Sequence, residues 1–173
     1  MRWLACLVVI LAFPAVVSAQ AAPSRDRVRE MLSGIEHTPT DADWQRVGDG
    51  ALPVLIDLYQ SSTEPPYVRL RAVGATGAFP RPAVRTFLLA VARADGQSDL
   101  LVREAVVTLA RAFGAASVGD LVPFLAHDEP VVREATATAL GRIGTPDATA
   151  ALRARLRVER EGAVRAAIQS ALR

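Results

Sequence analysis

The chain has 173 residues, 51% of them hydrophobic but only 5% aromatic, which suits one ordinary domain with a core of small and aliphatic side chains. All 20 basic residues are arginine and face 18 acidic ones, so the net charge is only +2. That balance argues against sequence-independent nucleic-acid binding, which rests on many phosphate contacts, and the single cysteine rules out an internal disulfide.

Residues 1–19 have the layout of a secretory signal peptide. Arg2 supplies a positive start, Trp3 to Val17 is an apolar run broken only by Pro14, and Val17-Ser18-Ala19 offers small residues for cleavage before Gln20. The run is short for a bilayer span, which needs about 20 apolar residues. Cys6 lies inside this segment, too early for lipid attachment, and its removal would leave a mature chain without thiols. The expected address is the bacterial periplasm. The alternative is an uncleaved segment anchored to the inner membrane, the one route by which this chain would meet a membrane.

Residues 20–39 read as a linker and an N-terminal capping helix. Ser24 is placed to cap a helix over 25–35, in which Val28, Met31, Leu32 and Ile35 recur at helical spacing. Thr38-Pro39 breaks it. Thr40 and Asp43 form a capping-box pattern ahead of a short helix through Trp44 and Val47. Trp44 would either offer a ligand platform or close the end of the core, and packing is the commoner use of a large ring. A helix over 51–59 follows, with Pro53 in its first turn, where a missing N–H costs nothing.

From Thr40 to the C-terminus the chain repeats itself. Val68-Arg69, Val102-Arg103, Val132-Arg133 and Val164-Arg165 stand 34, 30 and 32 residues apart. Eleven residues after the first three valines come Phe79, Phe113 and Ile143. A period near 32 residues means stacked units rather than one closed globule, because one unit alone cannot hide its apolar face. First helices are expected over 66–78, 99–113, 128–143 and 162–172, the last a half unit. Ser98 or Asp99 would cap the second of these, and Asp128 the third. Second helices are expected over 82–94, 118–127 and 146–157. Small residues at Ala72, Ala105, Ala135 and Ala167 would let backbones approach, and Gly114 and Gly144 would close helices in the left-handed conformation. Period-2 alternation is missing, so the expected class is all-α.

These residues resemble HEAT-like repeats, particularly the short bacterial form named for phycobilisome-lyase-like proteins. The likeness is carried by Asp128, Val132-Arg133, Ala135, Leu140-Gly141, Ile143-Gly144, Leu152 and Leu156, and by the unit from Asp99 through Val102-Arg103 and Phe113-Gly114 to Leu121 and Leu125. It implies a right-handed α-solenoid of antiparallel helix pairs, about four units over 40–173, with a concave face lined by second helices. It also implies binding or scaffolding rather than catalysis. In such repeats the arginines equivalent to Arg69, Arg103, Arg133 and Arg165 are structural, contacting carboxylates or carbonyls of the neighbouring unit. Some HEAT-like enzymes bind iron through His-Glu pairs; here Glu36-His37 is reversed and His127 precedes Asp128.

Two isolated histidines, His37 and His127, make neither a triad nor a metal cluster, so no catalytic, metal or cofactor residue is expected. The candidate partner site is the second-helix surface, where Arg85, Arg93, Arg153 and Arg157 are not needed for the core. An acidic protein segment or an anionic envelope polymer would suit it, against the bland alternative of a solvated charged face. The half unit would leave Val164, Ile168 and Leu172 as an apolar end, an expected site of weak self-association. The sequence thus points to an exported protein-interaction module. The alternatives are an anchored assembly accessory of an envelope complex, or an enzyme accessory that presents a client.

Overall fold

A computed structural model of the full chain describes residues 22–34 and 38–173. The expected signal segment and cleavage site, Cys6, Ile35 and His37 lie outside the described residues. Among those described, the elements are α1 (Arg25–Ser33), α2 (Asp41–Val47), α3 (Ala51–Gln60), α4 (Pro66–Thr76), α5 (Pro82–Arg93), α6 (Asp99–Phe113), α7 (Val118–Leu121), α8 (Pro130–Ile143), α9 (Pro146–Leu156) and α10 (Gly162–Ala171), with no strand. Short 3-10 turns, Gly114–Ser117 and Val122–Ala126, flank α7.

The helices build an all-α solenoid. The first helices α4, α6, α8 and α10 form one row in which each packs on the next. The second layer is α3, α5, the turn after α7, and α9. One pairing departs from expectation. The helix after α4 packs mainly on α6 rather than back on α4, just as α3 packs on α4. In this half of the array a second helix therefore packs on the first helix that follows it, whereas α9 packs on both α8 and α10.

The core is one continuous cluster running the length of the array. Leu55, Leu58, Val68, Leu88, Leu109, Leu121, Leu140, Leu152 and Ile168 are all fully buried. A side chain of this size contributes about 1.5–3 kcal/mol when fully buried. Val164 and Ile168 are buried too, against α8, and Leu172 is half-buried. The expected apolar end is therefore covered, which removes the premise for self-association through the half unit.

Local chemistry sets the helix ends. The Ser24 hydroxyl accepts from the Arg27 amide, and Thr40 and Asp43 form a complete capping box. Thr145, not anticipated as a cap, accepts from the Ala148 amide. Ser98 holds the N-cap position of α6 without a side-chain capping bond, and α8 starts from Glu129 rather than Asp128. Gly144 adopts the left-handed conformation, φ 66° and ψ 15°, that ends α8. Gly114 has φ 50° but ψ −131°, outside the left-handed helical region expected for it. The expected second helix over 118–127 is one α-helical turn followed by 3-10, because Pro123 lacks the N–H that a continuing helix needs. The stretch Asp99–Ala126 is long and apolar enough to pass for a membrane span, with mean hydropathy 1.4, but here it is this broken element packed on α5 and α8.

α6 carries a register difference that the sequence did not announce. In α8 the buried positions are Val132, Thr136, Ala137 and Leu140, and in α4 they are Val68, Ala72, Val73 and Thr76. The matching set in α6 is Leu101, Ala105, Val106 and Leu109. Leu101-Val102, not Val102-Arg103, is thus the structural counterpart of Val68-Arg69. A one-residue offset turns a side chain by about 100° around a helix axis, and Arg103 is carried out to solvent.

Gly141 of α8 lies close against α10. A methyl group there would stand 2.4 Å from the Ala171 Cβ and 3.0 Å from its Cα. Gly141→Ala is expected to lower stability by about 1–3 kcal/mol through overpacking, offset in part by about 1 kcal/mol of helix propensity. Adding Ala171→Gly should relieve the clash. Thermal melts of the two variants check both statements.

Candidate functional site

The repeat arginines occupy two different environments. Arg133 is nearly buried and reaches in three directions. Its Nε and Nη2 donate to the two carboxylate oxygens of Glu159 at 2.9 and 3.1 Å, and its Nη1 donates to the carbonyls of His127 and Asp128 at 2.9 and 2.6 Å. Arg165 donates to the carbonyls of Leu156 and Glu159, and Arg69 to the carbonyl of Tyr59, whose ring it also faces. Each of these three closes the chain that precedes its own helix. A planar guanidinium suits this work, since its fixed fork serves several acceptors at once. Val102 fills the corresponding slot in α6. Arg103 is exposed and forms no hydrogen bond or ion pair among the described residues. Arg103→Ala is accordingly expected to change stability by less than about 0.5 kcal/mol. Arg133→Ala should cost about 3–5 kcal/mol, since it leaves Glu159 buried without that partner. Parallel denaturant titrations distinguish the two.

Glu159 is the strongest polar node. It is 4% exposed and accepts from Arg133, from Arg155 at 2.6 Å, and from the backbone amides of Arg160 and Glu161 at 3.0 and 2.9 Å. Desolvation alone would raise its pKa, but the bonds from Arg133, the Glu161 amide and Arg155 prevail and hold it at about 2. Glu64 plays a similar part at the other end, where it accepts from Arg29 and Arg25 of α1, each at 2.8 Å. The Arg29 bond, helped by Arg25, lowers its pKa despite burial.

Further arginines tie elements about one or two units apart. Arg71 donates to the carbonyls of Leu32 and Gly34 at 2.7 and 2.8 Å. Arg111 pairs with Asp41 and donates to the Gly74 carbonyl. Arg81 pairs with Asp49 at 2.6 Å. Arg85, placed by the sequence on a partner surface, pairs with Asp120 at 2.6 Å and donates to the Ala116 carbonyl. It therefore joins α5 to the α7 region. Arg93, Arg153 and Arg157 are exposed and carry no such tie among the described residues.

A concavity of about 740 Å³ lies elsewhere, between α6 and α8 on the first-helix side. Its apolar lining includes Val107, Val131, Ala135 and Ile143, and its banks carry Arg103 and Arg142, both exposed, with Glu134. Arg111 stands at one end, already paired with Asp41. Sequence reasoning missed this groove because its walls come from two helices about 30 residues apart. The available signal was the exposed edge of α8 itself, Val131, Glu134, Thr138 and Arg142, at spacings of three and four residues.

A smaller recess of about 350 Å³ lies where α1 and α2 meet α4, lined by Leu32, Trp44, Arg71, Glu104 and Arg111. Burial raises the pKa of Glu104, opposed by the charge of Arg103, the Thr108 hydroxyl and Arg111. Both arginines of the recess are held by the contacts above, so they clamp the N-terminal helices onto the array. His127 accepts the Glu129 amide through Nδ1, and no group of potential metal ligands gathers among the described residues.

A solenoid of short helix pairs locked by arginines defines a class of stacked-repeat proteins. Comparison with known families agrees over the C-terminal part: residues 96–173 match the family described as HEAT repeats. No curated protein matches the chain.

Proposed function

We propose that this chain is an exported protein–protein interaction scaffold, without catalytic activity of its own, built on the short phycobilisome-lyase-like form of the HEAT repeat. The observation that carries this reading is the network of guanidinium ties about one unit apart, from Arg71 through Arg85 to Arg133. Such a network holds the helix faces in one arrangement before any partner arrives, which reduces the ordering cost of binding. The unit spacing near 32 residues supports the short repeat form. Arg93, Arg153 and Arg157 remain on the second-helix side as one docking surface for an acidic protein partner.

The test is affinity capture from an envelope fraction with the full chain, tagged at its C-terminus. A second bait carries Arg93→Glu, Arg153→Glu and Arg157→Glu. A defined protein partner is the expected result, and loss from the second bait would place contact on the second-helix side. Recovery of no partner would contradict the scaffold reading. Intact mass of the recovered protein reports its address: a start at Gln20 is expected for a periplasmic protein. A retained Trp3 would make it an anchored accessory of an envelope complex.

A further inference from the structure

We infer that the groove between α6 and α8 binds an acidic partner segment bearing apolar side chains; this rests on the interaction-scaffold reading and names the chemistry of the partner. Three observations lead there. The concavity, at about 740 Å³, falls in the range of about 300–1,000 Å³ that ordered ligands fill. Its surface is apolar along Val107, Ala135 and Ile143, and Val131 remains 39% exposed beside them.

Charge decides what would lie there. Arg103 on α6 and Arg142 on α8 stand on opposite banks, exposed and without an ion pair among the described residues. Arg69, Arg85, Arg111, Arg133 and Arg165 are tied to carboxylates or carbonyls, whereas these two, beside an apolar floor, are free to receive carboxylates from outside. Glu134 is the one acidic residue in the lining. A segment with carboxylates along its edges and aliphatic side chains between them satisfies both features. A basic segment would meet two unpaired cations, and a purely polar one would leave the apolar floor uncovered.

The offset in α6 explains the construction. In α8 the slot after the buried valine is filled by Arg133, whose charge is consumed inside by Glu159. In α6 Val102 fills that slot, and the neighbouring Arg103 turns outward onto the groove. The same substitution that removes an internal tie supplies an external cation.

Fluorescence anisotropy on the full chain tests the assignment. The probe is a labelled synthetic helix with leucines at spacings of three and four and glutamates at the remaining positions. Saturable binding is expected. It should weaken at least ~10-fold in Arg103→Glu/Arg142→Glu, two reversed charges at about 0.7 kcal/mol each. It should vanish in Thr138→Trp, which fills the groove from an exposed position. Arg153→Glu/Arg157→Glu should bind like the parent. Equal binding by all variants would overturn the assignment. So would failure of the parent to bind, or equal binding of a probe with serine in place of leucine. A captured envelope partner held equally by both groove variants would overturn the groove while leaving the scaffold reading intact. Matching melting curves confirm that the variants are folded.

Discussion

Glu159→Ala is expected to destabilise the chain by about 3–5 kcal/mol, the usual cost of removing one partner from a buried ion pair. The change strips Arg133 of its carboxylate, frees Arg155 and leaves the amides of Arg160 and Glu161 without their acceptor. Because units in a stack contact only their neighbours, the loss should begin in α9 and α10 and spread inward. Arg133→Met combined with Glu159→Leu should recover part of it, since apolar replacements of a whole buried pair are often near neutral. The same node gives the chain an acid limit. Folding lowers the Glu159 pKa from 4.5 to about 2, so its stabilising contribution is complete above pH 4.5. That contribution is lost as the pH falls from there towards 2. Urea midpoints measured down this range should fall more steeply in the parent than in Glu159→Ala, which has no carboxylate to protonate.

Trp44→Ala should cost a similar amount, about 3–5 kcal/mol, for a large aromatic in a core. Trp44 is 2% exposed and joins the same cluster as Leu32 and Leu55. Loss of its area should loosen α1 and α2 before the central units. Loss of the Arg71 and Arg111 clamps by mutation should produce a milder version of the same fraying. Limited proteolysis distinguishes this from global unfolding: the first cut is expected within residues 22–50, with α4 to α10 still intact. A first cut in α8 would contradict the packing role given to Trp44.

The stack was legible because its signals are local. Pro66, Pro82, Pro130 and Pro146 mark first turns, Thr40 and Asp43 spell a capping box, and the 32-residue period lies in one dimension. The register of α6 was harder to read, since Val102-Arg103 reproduces the dipeptide of its neighbours. The positions one and five residues on were the better guide. Counted from Leu101 they are buried Val102 and Val106, matching Arg133 and Ala137 of α8, whereas counted from Val102 they are exposed Arg103 and half-buried Val107. The break at Pro123 follows from proline chemistry, since Pro123 falls in the middle of the helix expected over 118–127, whereas Pro53 sits harmlessly in a first turn. Partners of the arginines could not be read at all. Arg133 meets Glu159 across 26 positions and Arg111 meets Asp41 across 70, and only folding brings them together. Arg85 looked free for the same reason, although Asp120 holds it. The groove depends on two helix faces and a one-residue rotation of one of them.

Amide hydrogen exchange on the free chain and on its captured complex tests the scaffold reading most directly. A rigid binding surface predicts strong protection in α4 to α8 before any partner is added. Binding should then add protection along one face, at residues 103–115 and 131–143 for the groove or in α5 and α9 for the second-helix side. Rapid exchange throughout α6 and α8 in the free chain, with protection gained only on binding, would mean a protein that folds onto its partner and would contradict a preformed scaffold.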